Sequence, residues 1–373
     1  MLRFFFHKKF WMPVALLLAL TVCLELALRA GLYNPILSND SLMKRSLDRY
    51  QAMNLFGYEN IHWLTMGDSR TDWGFDHKKI QEHQSQLGLN HIRLSFGRST
   101  YVSFQTLSRW ALHYLPNLQG ILIGMPTSSF YQKSVQTNQY MNVWAFRDFY
   151  PQNLKRQEGT KNTYFWEHWY AQSYIHQYYP DLKDLIQNFS QRSKKLLIRQ
   201  PVTTSNLFDS TFEVKRNLCE YSLETLQSCQ ETAKILLNKK NPSILEQSII
   251  NRCSHPNQPT QSNQNRINRT IKQWQQFFNY RLNQGLEIIV VLIPQHPIFD
   301  YLINPEGAES IQQEVIRTFK NHETFSVIDL RDSFTDNDIP HCQVYYDLAH
   351  YNLKGQEIIT DALINALKNQ TAD

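Results

Sequence analysis

The sequence predicts an α/β protein, with a parallel five-stranded sheet covered by helices on both faces and one apolar segment at its N-terminus. Three observations predict this. Short apolar runs at 61–66, 91–96, 120–124, 286–293 and 325–330 have the length and composition of buried strands. Amphipathic stretches such as 105–115, 271–282, 311–321 and 353–367 alternate with them, which is how parallel strands are connected. Between about 131 and 269 the alternation stops, so a large, mostly helical insertion is expected after the third strand. At 373 residues and 42% hydrophobic, the chain has material for one large core plus that insertion. The net charge of +5 is modest and no long basic block occurs, which argues against a nucleic-acid partner.

The N-terminus comes first. Residues 10–28, FWMPVALLLALTVCLELAL, would reach roughly 28 Å as a helix, enough to cross a bilayer core. Arg3, His7, Lys8 and Lys9 precede this run and only Arg29 follows it closely, which predicts a cytoplasmic tail at 1–9 and the bulk of the chain outside. A cleaved signal is disfavoured, because Leu28-Arg29-Ala30 has a large residue where a small one is needed. The anchor is therefore placed at 10–30, with Glu25 near its outer end, where a carboxylate reaches the headgroups. Residues 31–57 read as a polar, mostly helical stalk.

The first strand, 61–66, ends at Gly67-Asp68-Ser69, a tight turn at the edge of the sheet where α/β proteins bind ligands. The second strand ends at Gly97. After the third strand the chain reads Gly124-Met125-Pro126-Thr127-Ser128-Ser129. The insertion is dense in aromatics in its first third, including Phe130, Tyr131, Tyr140, Trp144, Phe146, Tyr164, Trp166, Trp169, Tyr174 and Tyr178. These suit a helical cap with an aromatic core, or a lid that stacks on sugar rings or lies against the membrane. The strand at 286–293 is followed by His296, read as a loop residue. Before the last helix stands Asp347-Leu348-Ala349-His350.

The Gly-Asp-Ser turn after the first strand and the Asp-x-x-His before the last helix resemble those of the SGNH (GDSL-type) hydrolases. The resemblance covers about 58–130 and 270–368, and assigns 58–130 and 270–373 to one domain with 131–269 as the inserted cap. It implies a flavodoxin-like three-layer sandwich, with Ser69 as nucleophile, His350 as general base and Asp347 as the acceptor that orients it. The oxyanion donors would be the N–H groups of Ser69 and Gly97. The sequence departs from the family where an Asn is expected after the third strand, leaving Thr127 or Ser128 as substitutes. No cofactor is implied. One N-terminal span with an outer SGNH-like domain resembles cell-envelope proteins that handle acyl esters of surface polymers. The expected substrate is thus an acyl ester of an envelope glycan, and the expected partner, beside the membrane, a membrane-bound O-acyltransferase. The alternative is a non-catalytic scaffold of the same fold.

Cys23 lies inside the anchor, whereas Cys219, Cys229, Cys253 and Cys342 fall on the outer side, an even number suited to two disulfides. Three connectivities are open. Cys342 lies on the loop that must hold Asp347 and His350, so a bridge from the insertion would make that loop rigid. Cys253–Cys342 with a local Cys219–Cys229 is the pairing selected. No CxxC pair or clustered His spacing supports zinc.

Overall fold

The computed structural model describes residues 8–38, 41–83, 90–97, 99, 101–130, 143–149, 173–197, 201–208, 217–221, 223–254, 264–298 and 308–372. Its centre is a five-stranded sheet of β1 (Trp63–Gly67), β2 (His91–Arg93), β3 (Gly120–Met125), β4 (Glu287–Leu292) and β5 (Phe325–Asp329). All neighbours are parallel, in the order β2-β1-β3-β4-β5. Every residue of β1 and β3 is buried, the pattern of strands covered on both faces.

Because side chains alternate along a strand, the sheet divides its apolar residues between two cores. Leu64, Met66, Ile121, Ile123, Ile288 and Val290 point to one, with Phe104 and Trp110 of helix Tyr101–Tyr114 and Trp274, Phe277 and Phe278 of helix Gln264–Leu282. Trp63, Leu122, Ile289, Val291 and Ile328 point to the other, with Ile359 and Leu363 of helix Leu353–Ala372. The second core also takes Ala233 and Leu236 of helix Leu226–Leu237 and Ile249 and Cys253 of helix Ile244–Cys253. Part of the insertion is thus built into the main core.

Three expectations change. The segment read as a stalk forms helix Leu42–Phe56, capped by Ser41 and ended by Gly57 at φ 89°, and its Ala52 and Met53 are fully buried in the sheet's core. It looked polar because its buried face includes Arg49 and Lys44, whose charges are met by Asp72 and Asp48. Among the aromatics assigned to a cap, Phe130 and Phe146 belong to the main core. Trp144 and Tyr178 instead pack with Leu28, Tyr33 and Leu37 at the C-terminal end of the apolar segment. Tyr131, Tyr140, Tyr164, Trp166 and Trp169 lie outside the described residues.

The disulfides are Cys219–Cys342 and Cys229–Cys253, which replaces the pairing selected from the sequence. Thr225 caps the helix that carries Cys229, directing that residue away from Cys219. Helices Leu226–Leu237 and Ile244–Cys253 form a hairpin whose first and last turns meet, and this joins Cys229 to Cys253. Cys219 is delivered to Cys342 by the Leu218 N–H, which donates to the Cys342 carbonyl at 2.9 Å. The catalytic-loop candidate is therefore bridged to the insertion, through Cys219.

The N-terminal helix Lys8–Arg29 contains an 18-residue stretch, Met12–Arg29, of mean hydropathy 1.9, long and apolar enough to cross a membrane. Glu25 near its end accepts hydrogen bonds from the Tyr174 and Ile175 backbone N–H groups, both at 2.9 Å, and so caps helix Tyr174–Gln187.

Candidate active site

The C-terminal ends of β1 and β3 shape the site. Gly67 and Gly124 end these strands, and Thr71 fits between them. A Cβ on Gly67 would lie 2.2 Å from Thr71 Oγ1, and one on Gly124 2.5 Å from it. The Thr71 hydroxyl also donates to the Gly124 carbonyl at 2.8 Å. Only glycines permit this approach, and it clamps helix Ser69–Gly74 onto the sheet. Asp68 caps that helix, its carboxylate accepting from the Arg70 N–H at 2.9 Å. Ser69 is held as the first residue after the cap.

His350 Nε2 stands 2.8 Å from Ser69 Oγ, and its Nδ1 lies 3.0 Å from Asp347 Oδ2. Asp347 Oδ1 accepts the Ala349 and His350 backbone N–H groups at 2.6 and 2.8 Å. Burial pushes the Asp347 carboxyl up, but the His350 hydrogen bond and charge and the two N–H groups outweigh it and hold it below its ordinary range. An ionised Asp347 only accepts, so the proton sits on Nδ1 and the Nε2 lone pair faces the Ser69 hydroxyl. The Trp73 ring lies 4.5 Å from the imidazole and that of Tyr346 5.8 Å, which fixes the orientation of the base.

The loop carrying Asp347 and His350 is closed tightly. Tyr346 N–H donates to the His350 carbonyl at 3.1 Å and Asn352 N–H to the Val344 carbonyl at 2.9 Å. The Tyr351 hydroxyl donates to the Pro294 carbonyl beyond β4, and Cys342 ties the loop to Cys219. His296 is buried behind this loop, 5.1 Å from the Tyr345 ring, and burial pushes its imidazole down to about 4. It is a neutral packing residue.

Gly97 lies beside Ser69, where a Cβ would be 3.8 Å from Ser69 Cβ. The Phe96 N–H donates to the Gly67 carbonyl at 3.2 Å and holds this segment against the end of β1. The N–H groups of Ser69 and Gly97 meet no acceptor among the described residues. Thr127, half-buried at the start of the short helix Thr127–Phe130, makes no hydrogen bond with the triad among the described residues. Ser128 is no substitute donor, because its hydroxyl accepts from Arg70 Nη1 at 3.0 Å and donates to Gln295 Oε1 at 3.3 Å.

Arg70 and Asp68 form a part-buried ion pair that sequence reasoning missed. Burial raises the Asp68 carboxyl, and the charge and hydrogen bonds of Arg70 more than reverse it. Ser129 donates to the same carboxylate at 3.2 Å, so the ends of β1 and β3 are joined by polar contacts as well as by Thr71. Arg252, on insertion helix Ile244–Cys253, was missed too. Burial lowers its pKa, with the Asp347 charge pulling the other way. Nothing in the spacing of these residues distinguishes them from solvent-facing charge. Among the described residues no group of His, Cys, Asp or Glu side chains could hold a metal ion.

No protein-family model matches the chain, and no curated protein matches it in sequence. The site must therefore be read from its own geometry.

Proposed function

We propose that the protein is a serine esterase or O-acyltransferase of the SGNH type, anchored by its N-terminal helix and working outside the cytoplasm on acyl esters of cell-envelope glycans. The observation that carries this is the chain Ser69 Oγ, His350 Nε2, His350 Nδ1, Asp347, with links of 2.8 and 3.0 Å. Such links meet the reach that proton transfer requires. The strand order β2-β1-β3-β4-β5 is that of flavodoxin-like sheets and supports the finer fold assignment.

In this reading Ser69 Oγ attacks the acyl carbonyl while its proton passes to His350 Nε2. Asp347 stabilises the imidazolium and keeps it aligned. The N–H groups of Ser69 and Gly97 donate to the oxyanion. The imidazolium then protonates the departing alcohol, leaving an acyl group on Ser69. Water or a glycan hydroxyl, deprotonated by His350, resolves that ester. A membrane-bound O-acyltransferase is a fitting source of acyl groups for an anchored partner of this kind. The positive flank of the span and the two disulfides both favour an outer location.

A second reading, a non-catalytic envelope scaffold, is favoured by one observation: Pro126 stands where an Asn donor is expected after β3. Turnover of p-nitrophenyl acetate and of an O-acetylated glycan by the full chain separates the two. Hydrolysis or transfer by wild type that is lost in Ser69→Ala supports the enzyme. Equal rates in both proteins support the scaffold.

A further inference from the structure

We propose that Arg49 is a positioning residue that sets the two oxyanion donors against each other; this rests on the esterase reading above. Arg49 lies on helix Leu42–Phe56, the first long helix after the span, and is 6% exposed. Its Nη2 stands 2.5 Å from Asp72 Oδ1, and Asp72 belongs to the helix that begins with Ser69. Its Cζ lies 4.5 Å from the centre of the Phe96 ring, and Phe96 immediately precedes Gly97. One guanidinium thus touches a side chain from each of the two segments that present the Ser69 and Gly97 N–H groups.

The contact types suit Arg and no other residue. Nη2 meets the carboxylate while the guanidinium lies over the aromatic ring, and both contacts are out of water, where they are strongest. A Lys can satisfy Asp72 but offers no plane to Phe96. Helix Leu42–Phe56 is itself held one turn away, where the Ser46 hydroxyl accepts the Ala145 N–H at 3.1 Å. The guanidinium is therefore a fixed reference rather than a mobile surface group. Arg93 Nε also approaches Asp72 Oδ1, at 3.6 Å, so the carboxylate keeps a cation when Arg49 is removed. Loss of Arg49 then disturbs the geometry without leaving a lone buried charge.

The test uses the full chain in detergent, with a fluorophosphonate to titrate reactive Ser69 and ester hydrolysis to give kcat and KM. For Arg49→Met the number of titrated sites per chain stays at the wild-type value. Its kcat per titrated site falls about 10²-fold, the scale of a misplacement near 1 Å, with KM nearly unchanged. Arg49→Lys falls in between. A structural role alone would lower the number of titrated sites and leave each survivor at full speed, and that result overturns the proposal. So does an unchanged kcat. Should Arg49→Met fail to fold, Phe96→Leu removes the stacking surface with little change in volume; a reduced kcat per site supports the proposal and an unchanged one overturns it. A wild type that neither labels nor turns over removes the esterase reading itself, a different outcome from an active wild type with indifferent Arg49 variants.

Discussion

Replacing Asp347 by Asn tests the hydrogen-bond logic of the triad with almost no change in shape. Oδ1 is held by the Ala349 and His350 N–H groups at 2.6 and 2.8 Å, and only an acceptor fits there. The Asn oxygen takes that position, which puts its NH₂ where Oδ2 now stands, 3.0 Å from His350 Nδ1. An NH₂ donates and cannot accept from Nδ1–H, which favours an accepting Nδ1 with the imidazole proton on Nε2 over donation to the Asn oxygen 3.1 Å away. Nε2 then presents N–H, not a lone pair, to the Ser69 hydroxyl and cannot take its proton. A triad locked in the wrong tautomer loses about 10⁴-fold in kcat, or roughly 5 kcal/mol of transition-state stabilisation. KM changes little, because no substrate-binding group has moved. Steady-state hydrolysis of an activated ester at neutral pH reads both constants, and thermal melting checks that the fold survives. A fall in kcat smaller than about tenfold would refute the tautomer argument.

Acid should destabilise the fold through its buried imidazoles. Burial pushes His91 from its ordinary 6.5 down to about 4, and His296 likewise, so from pH 6.5 downwards the unfolded chain takes up protons that the folded chain refuses. Stability is full above pH 6.5 and drops by about 3 kcal/mol for each of the two as pH reaches 4. Asp68 and Asp347, held below their ordinary range, add their losses only at lower pH. Urea midpoints at pH 7 and 4.5 measure the drop; His91→Phe should remove the His91 share and leave that of His296, and equal midpoints in wild type would contradict the burial argument. Cutting the Cys219–Cys342 bridge with paired Ser substitutions should cost about 3–5 kcal/mol and lower kcat by loosening the Asp347 loop, while kcat equal to wild type would show that the tether does not support the site. Gly67→Ala drives a methyl to within 2.2 Å of Thr71 Cβ and should cost about 1–3 kcal/mol in urea unfolding; an unchanged midpoint would exclude that clash.

Much of the sheet was legible because buried parallel strands are written as short, nearly pure apolar runs. β3 and β4 fall within a residue or two of the runs at 120–124 and 286–293. Ser69, Asp347 and His350 were singled out by the resemblance of their two motifs to the SGNH hydrolases, and the structure brings the three side chains together. The helical character of 42–56 was legible but its burial was not, since its inner face carries Arg49 and Lys44. In sequence a cation reads as solvated, and although Asp48 stands four residues after Lys44, only the folded chain reveals Asp72 beside Arg49. The cysteine pairing was hidden for another reason: the short spacing from Cys219 to Cys229 suggested a local loop, but the helix starting at Leu226 carries Cys229 away to Cys253. Arg70 stands next to Ser69, and nothing local marks it as paired with Asp68 across the turn.

The central claim is that Ser69 is a nucleophile activated by His350. A fluorophosphonate forms a covalent bond only with an activated serine, so incubation of the full chain followed by peptide mapping reads the claim directly. The account predicts one adduct, on Ser69, absent from Ser69→Ala and formed far more slowly in His350→Ala. No adduct on wild type under conditions that label a known serine hydrolase, or an adduct on a different serine, would contradict it.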